Sequence, residues 1–431
     1  MPIFVGTQIS HDGQTYVVEE QLNGGAFGLI FRAKLVTPFP WGHSIVIKSP
    51  APAVAADPDL MARFEREARI FANISHTNVV RMIAYWVFPD GTRAIAQEMV
   101  RGALSTDKYI AANPHDAPSV LAQCLYGLRA IHQSGGFFGT PGAVHRDLSP
   151  GNILVDAAGC VKVIDFGLSK RLPNDSIPLT GFGWEIGTPG CMSPEQLVDA
   201  ATADPRSDLY SLGRTLGASV QGRNPQHLDI ALLPEPWKSV CGKLAAHDPA
   251  HRYQTADEAL EDALDRFSMA GIRLTHFDLH AEEHRWKPVT AAWQKSVALY
   301  LGGLTDMNEH DLRAAAKLQP NAFALLNANT LFDMIEGSSA VGTFNTGSAS
   351  FELCDSLGDL YQRLYPPLDA ARKLTCFTRL VRTAIRWHRF NVMADVRATW
   401  DLEPDPTIRA QFKAIIQAAD TASVIHSKGR W

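Results

Sequence analysis

The sequence predicts an α+β protein, with strands around a glycine cluster near the N-terminus and helical patterns in the C-terminal part of the chain. Strand-forming residues flank a glycine cluster in residues 16–33, which is typical of two strands joined by a tight turn. Apolar residues then recur at helical spacing in residues 60–74. Helical spacing returns beyond Pro288, in residues 291–304 and 374–393. These patterns predict a mixed N-terminal domain and an all-α C-terminal domain.

Two short motifs in the middle of the chain carry the strongest functional signal. They are His-Arg-Asp at residues 145–147 and Asp-Phe-Gly at residues 165–167. Asp147 can accept a hydroxyl proton, and Asn152 and Asp165 offer the oxygen ligands that suit Mg²⁺. Phosphoryl transfer from ATP requires mainly that the phosphates, the metal and the attacking hydroxyl be held in line. In this order the motifs resemble the catalytic and metal-binding loops of the protein kinase family.

The resemblance extends over residues 16–268 and implies a two-lobed protein-kinase fold that uses ATP and Mg²⁺. The small lobe would contain mostly antiparallel strands and one helix, and the second lobe would be mainly helical. The remaining chain would comprise an N-terminal extension (1–15), a linker helix (269–289) and an α-helical domain (290–431). We expect this last domain to bind a protein partner or a regulator.

The nucleotide site implied by the resemblance lies mainly in the first hundred residues. Glycines there let backbone N–H groups approach phosphate oxygens. Gly25 and Gly28 stand at the second and third glycines of the family's Gly-rich loop, and Asn23 stands at the first. Gln97 matches the gatekeeper before the hinge between the lobes. The expected nucleotide contacts are Leu22, Asn23, Gly25, Gly28, Ile30, Val46, Lys48, Gln97, Glu98 and Val100.

Lys48 ends an apolar run at residues 45–47, and a buried ammonium group normally needs a counter-charge. In the resemblance this lysine holds the α- and β-phosphates and pairs with a glutamate on the next helix. Glu67 has the typical separation from Lys48. Glu65 is the competitor, but it falls on a different face of the helix. We expect the ion pair to form with Glu67.

The segment after Asp165 favours a protein substrate. Residues 187–195 resemble the end of a Ser/Thr-kinase activation segment, and Thr188 matches the position that contacts the catalytic base. Thr180 is the preferred phosphorylation site, ahead of Ser176. Arg146 is expected to bind the phosphorylated segment.

Three further residues match structural positions of the same family. Glu195 is expected to form a buried ion pair with Arg252. Asp208 is expected to support the backbone of the catalytic loop. We therefore predict a Ser/Thr protein kinase that phosphorylates its own activation segment.

Ser149 departs from the family pattern, because Ser/Thr kinases usually carry a lysine there. Its replacement removes one positive charge from the developing transition state. This leaves two alternatives open: an ATP-binding pseudokinase that acts as a scaffold, and a small-molecule kinase of the aminoglycoside or choline type. The activation segment argues against the second.

Composition limits the partners and the compartment. The net charge is −5, so there is no general electrostatic reason to expect nucleic-acid binding. The six cysteines are scattered without a Cys-x-x-Cys pair, which argues for reduced thiols and a cytoplasmic protein. No run of about eighteen apolar residues occurs, so we expect no membrane span.

Overall fold

The computed structural model confirms the α+β class. The chain forms two compact units, Met1–Gly271 and Ile272–Trp431. The structure describes residues 3–11, 13–24, 28–37, 44–134, 142–165, 170–171, 190–199, 202–276, 291–304, 306–338, 351–386, 396 and 398–419.

The first unit begins with a six-stranded antiparallel sheet whose strand order is β1-β2-β3-β4-β6-β5. Its strands are β1 (Gln8–His11), β2 (Gln14–Gly24), β3 (Gly28–Thr37), β4 (Ser44–Pro50), β5 (Met82–Val87) and β6 (Arg93–Glu98). Strand β1 comes from the residues that the sequence placed in an N-terminal extension. It pairs with β2 and buries Ile9, so this stretch is part of the sheet.

The two faces of this sheet have different roles. One face buries apolar side chains, including Phe31, Ile45 and Ile47, in a single hydrophobic cluster. Because side chains alternate along a strand, residues 30, 46 and 48 belong to the opposite face. The sheet therefore separates a core face from the face that carries Lys48.

Helix α1 (Pro52–Ala55) and helix α2 (Pro58–Ala72) follow β4. Helix α2 begins two residues earlier than the apolar spacing predicts, because the Asp57 carboxylate accepts hydrogen bonds from the N–H groups of Asp59 and Leu60. Pro58 then fits the first helical position, where no N–H partner is needed. The helix carries both Glu65 and Glu67.

The rest of the first unit is mainly helical. Its helices are α3 (Thr106–Ala112), α4 (Ala117–His132), α5 (Pro194–Val198), α6 (Pro205–Gln221), α7 (Trp237–Leu244) and α8 (Ala256–Met269). Short strands lie between them: β7 (Leu104–Ser105), β8 (Ala143–Val144), β9 (Ile153–Val155), β10 (Val161–Val163) and β11 (Lys170–Arg171). Most of α4 is buried, as expected for a helix that is apolar on nearly every side. Helices α4 and α6 both contact β8, the short strand that leads into residues 145–147.

Among its described residues, the regular secondary structure of the second unit is entirely helical. Its helices are α9 (Ala291–Leu301), α10 (Glu309–Ala316), α11 (Pro320–Phe323), α12 (Ala328–Gly337), α13 (Phe351–Leu364), α14 (Ala370–Arg386) and α15 (Pro406–Ala419). A separate hydrophobic cluster fills it, in which the rings of Phe377 and Phe412 stack with centroids 3.7 Å apart. Residues 270–276 contain no helix, and the rest of the predicted linker helix lies outside the described residues.

No helix among the described residues has the length and apolarity needed to cross a membrane.

Candidate active site

Lys48 lies at the centre of a three-residue charge cluster. Its Nζ is 2.7 Å from Glu67 Oε1 and 2.7 Å from Asp165 Oδ1. The side chains of Lys48 and Glu67 are 12% and 7% exposed, whereas that of Asp165 is 38% exposed. The cluster therefore joins a strand, a helix and the loop after β10, and only its Asp165 side is open to solvent.

The neighbouring carboxylates keep Lys48 protonated. Burial by itself would lower the pKa of Lys48, but the charges and hydrogen bonds of Asp165 and Glu67 outweigh burial and raise that pKa above its ordinary value. A permanent cation at this position can hold a polyanionic ligand.

Glu65, the other candidate for the ion pair, binds elsewhere. Its Oε1 lies 2.7 Å from Arg93 Nε at the start of β6. Residues two apart on a helix project in different directions, so Glu65 and Glu67 cannot both reach Lys48.

Asn152 holds both the backbone and the side chain of Asp147. Its Nδ2 donates to the carbonyl oxygen of Asp147 (2.7 Å) and to Asp147 Oδ2 (3.1 Å). No described residue donates a hydrogen bond to Asn152 Oδ1. Together with the carboxylate oxygens of Asp165, this amide oxygen offers hard oxygen ligands to a cation.

This set of oxygen ligands fits a cation that also binds substrate phosphates. Among the described residues no three His, Cys, Asp or Glu side chains gather as a metal cage. Mg²⁺ is usually held by one or two carboxylates together with phosphates and water, so Asn152 and Asp165 suffice for that ion.

The backbone around the two motifs is strained. Arg146 and Asp165 have φ values of 73° and 63°, in the left-handed region that non-glycine residues rarely adopt. Asp208 on α6 holds the first of these turns, since its carboxylate accepts from the N–H groups of His145 (2.8 Å) and Arg146 (2.7 Å). The carboxylate is fully buried and also lies 2.9 Å from His132 Nε2. Asp208 therefore fixes the backbone immediately before Asp147.

These hydrogen bonds keep Asp208 ionised. Burial acts to raise the pKa of Asp208, but the hydrogen bond and charge of His132, with His145 and the Arg146 N–H, lower it below its ordinary value.

One side chain links the two motifs directly. His145 Nε2 lies 2.8 Å from the carbonyl oxygen of Ile164, the residue before Asp165. Thus Asp147 and Asp165 are connected through a single imidazole.

Glu195 and Arg252 form a bidentate ion pair, with nitrogen–oxygen distances of 2.7 and 2.8 Å. Ser207 Oγ donates to the same carboxylate at 2.7 Å. Burial opposes ionisation, but the bonds from Arg252 and Ser207 lower the pKa of Glu195 to about 2. The pair anchors α5, which ends the predicted activation segment.

The predicted adenine-side residues share one face of the sheet. Ile30 is the cross-strand partner of Lys48, and Val46 is the partner of Gln97. Partners in a strand pair point to the same side, so these four residues line a common surface. Leu22, on β2, is 44% exposed.

Gly28 has a packing role at the end of this surface. A Cβ atom at position 28 would lie 3.1 Å from the Ser49 carbonyl oxygen, closer than normal contact. The glycine therefore permits β3 to approach β4 beside Lys48.

A second ion pair lies at the predicted hinge. Lys162 Nζ on β10 lies 2.6 Å from Glu98 Oε1, which also accepts from the Arg81 N–H at 2.9 Å. Val100 follows β6 and is half-buried.

Several predicted residues cannot be placed. Gly25, Thr180, Ser176, Thr188 and the Phe-Gly of the second motif lie outside the described residues, as does the side chain of Asn23.

Other partners in the site were missed by the sequence analysis. They are His132, Ser207, Gln196, Arg93 and Lys162. Arg93 contacts Glu65, the rejected candidate for the ion pair, and the other four contact predicted site residues. No local sequence pattern marks these partners.

Comparisons with known proteins agree with this geometry. Residues 16–232 match the family model described as the protein kinase domain. The probable serine/threonine-protein kinase PknB of Bifidobacterium longum is 31% identical over 254 residues, which cover 52% of this chain and 36% of that protein. The serine/threonine-protein kinase PrkC of Bacillus subtilis is 26% identical over 324 residues, 70% of this chain and 47% of that protein.

A further relative is named for a different acceptor residue. The tyrosine-protein kinase MasK of Myxococcus xanthus is 32% identical over 283 residues, 58% of this chain and 43% of that protein. The chain thus spans less than half the length of each of these three relatives.

Proposed function

The chain belongs to the protein kinase family, and we propose that it transfers the γ-phosphate of ATP to serine or threonine hydroxyls of proteins, including its own activation segment. The observation that carries the proposal is the pair of adjacent clusters: Lys48 bound to Glu67 and Asp165, and Asp147 bound to Asn152. The first can hold triphosphate, and the second can orient a hydroxyl.

Each group has a defined task in this reaction. Lys48 binds phosphate oxygens, and Glu67 keeps its ammonium group in place. Asn152 and Asp165 would hold Mg²⁺, which when bound neutralises charge on the phosphates. Asp147 orients the attacking hydroxyl and accepts its proton as the oxygen–phosphorus bond forms. The bond from the γ-phosphorus to the bridging oxygen breaks, and ADP leaves with that electron pair.

Serine or threonine is the preferred acceptor. The activation-segment motif with Thr188 supports this choice, as do the names of two of the three relatives. The name of the third relative makes tyrosine the competing acceptor. Phosphoamino-acid analysis of labelled protein distinguishes them: phosphoserine or phosphothreonine supports the proposal, and phosphotyrosine alone contradicts it.

Autophosphorylation tests the proposed role of Lys48. Purified chain is incubated with radiolabelled ATP and Mg²⁺, and phosphorylated residues are mapped by mass spectrometry. We expect Lys48→Ala to lower the rate at least about 100-fold, because the phosphates lose a preorganised cation. The exposed Lys238 is a matched control, and Lys238→Ala should retain the wild-type rate.

Two results would change the proposal. ATP binding without phosphate incorporation would indicate the pseudokinase scaffold, to which the missing lysine at Ser149 also points. Turnover of a small alcohol without protein phosphorylation would indicate a small-molecule kinase.

The second unit supports a proposal about partners. Residues 272–431 form a compact unit whose described residues are mainly helical and have a hydrophobic core of their own, and we propose that this unit binds a protein partner or regulator. We also propose a cytoplasmic location, which the five free cysteines among the described residues support. Proteins that co-purify with the full chain, but not with a chain that lacks residues 272–431, identify such a partner. Cell fractionation tests the location.

A further inference from the structure

A buried glutamine joins helix α5 to the backbone that precedes Asp147. Gln196 is 6% exposed and lies in the first turn of α5. Its Oε1 accepts from the Ser193 N–H (3.3 Å) and lies 2.8 Å from Ser193 Oγ. Its Nε2 donates to the carbonyl oxygen of Arg146 at 3.1 Å. Because an amide N–H donor at Ser193 requires an acceptor, the NH₂ group of Gln196 must face Arg146.

Gln196 completes the support of a strained residue. Arg146 has a φ of 73°, and its N–H donates to Asp208 on α6. Its carbonyl oxygen accepts from Gln196 on α5. The backbone N–H and carbonyl groups of Arg146 are thus held by side chains from two different helices. A backbone conformation of this kind persists only where the surroundings determine it.

The second contact acts on Asp147 through the planar peptide bond. The carbonyl oxygen of Arg146 and the N–H of Asp147 belong to one rigid peptide unit. A hydrogen bond that fixes the carbonyl oxygen of Arg146 therefore also fixes the orientation of the backbone at Asp147. The Asp147 N–H, in turn, donates to His145 Nδ1 at 3.3 Å.

We propose that Gln196 is a positioning residue that sets the orientation of Asp147 from the end of the activation segment. The inference rests on the proposed kinase function. Glu195, beside Gln196, is anchored by Arg252. Helix α5 therefore offers a fixed point from which the following residue reaches the catalytic loop.

The test replaces the hydrogen-bonding amide and keeps the length of the side chain. Gln196→Met should lower kcat for phosphoryl transfer about tenfold, because small displacements of a catalytic group are costly. The KM for ATP should stay within about twofold of wild type, since Lys48 and the sheet are untouched. This separation of kcat from KM is not expected from general destabilisation.

A second buried glutamine provides the matched control. Gln123 is 2% exposed; its Oε1 accepts from Asn78 Nδ2 and the Val161 N–H, and its Nε2 donates to the Gly159 carbonyl. Gln123→Met breaks a similar number of buried hydrogen bonds away from Asp147. It should lower Tm while kcat changes by less than about twofold.

Hydrogen–deuterium exchange gives a readout that does not require activity. Backbone amides of residues 145–147 should exchange faster in Gln196→Met than in wild type or Gln123→Met. Unchanged kcat with unchanged exchange at residues 145–147 would overturn the inference, as would equal kcat losses in both variants. If wild type transfers no phosphate, the proposed function fails, and local exchange alone then decides the role of Gln196.

Discussion

At the scale of single residues, the charged groups of the site owe their ionisation to specific partners. Lys48 is buried, yet two carboxylates raise its pKa, and Asp208 is fully buried, yet His132 and backbone N–H groups lower its pKa. Spacing and helical faces pointed to Glu67 as the partner of Lys48. Asp165 is 117 residues from Lys48 in the sequence, and only folding brings the two side chains together.

The pH dependence of stability tests the Glu195–Arg252 pair. The pKa of Glu195 falls from an ordinary value of 4.5 to about 2 on folding, so the ionised carboxylate stabilises the folded state above pH 4.5. This contribution is lost as pH falls from about 4.5 towards 2. We expect the free energy of unfolding of wild type to decline over this window, as measured by urea titration.

Glu195→Gln should remove that part of the pH dependence, because it has no proton to gain. Glu261→Gln, at an exposed position on α8, is the control and should retain the wild-type profile. Parallel profiles for wild type and Glu195→Gln between pH 5 and 2 would contradict this assignment.

At the scale of elements, helix α2 is fixed to the sheet at two points. Glu67 binds Lys48 on β4, and Glu65 binds Arg93 on β6. Apolar spacing predicted a helix over residues 60–74, but the observed bounds are Pro58–Ala72, since the cap at Asp57 determines the start. A periodic pattern locates a helix well, whereas its ends depend on caps and turns that have no period.

A double-mutant cycle tests the second attachment. Substitution of Glu65 and Arg93 by alanine, singly and together, should give a coupling energy of about 0.5–1 kcal/mol in the free energy of unfolding, as for a partly exposed ion pair. Glu65 also lies 3.5 Å from Arg69, which is 69% exposed, so the Glu65–Arg69 cycle is the matched control and should give less. Equal coupling in the two cycles would show that the contact with Arg93 has no special role.

At the scale of the whole molecule, the two units have separate hydrophobic cores. Helical spacing beyond Pro288 predicted helices in the second unit, but it could not predict that α14 and α15 stack Phe377 on Phe412. The family resemblance supplied the architecture of residues 16–268 because its motifs are tied to one fold. No such motif occurs in residues 290–431, so the sequence could not predict how these helices pack or which partner they bind.

Phe377→Ala tests whether the core of the second unit is a distinct structural element. The side chain is fully buried, and its truncation should cost about 3–5 kcal/mol in local stability through lost contacts and a cavity. Faster hydrogen exchange should appear in residues 351–386 and 398–419. Equal acceleration across α4 and α6 would contradict the division into two units.

The rate of phosphoryl transfer by an Asp147→Asn variant at saturating ATP and Mg²⁺ tests the central claim most directly. The amide keeps the size of the side chain but cannot accept the hydroxyl proton, so the rate should fall at least about 100-fold. ATP affinity should be nearly unchanged, and Asp107→Asn, at an exposed position on α3, should match wild type. Wild-type transfer by Asp147→Asn would contradict the assignment of Asp147 as the group that positions and deprotonates the acceptor.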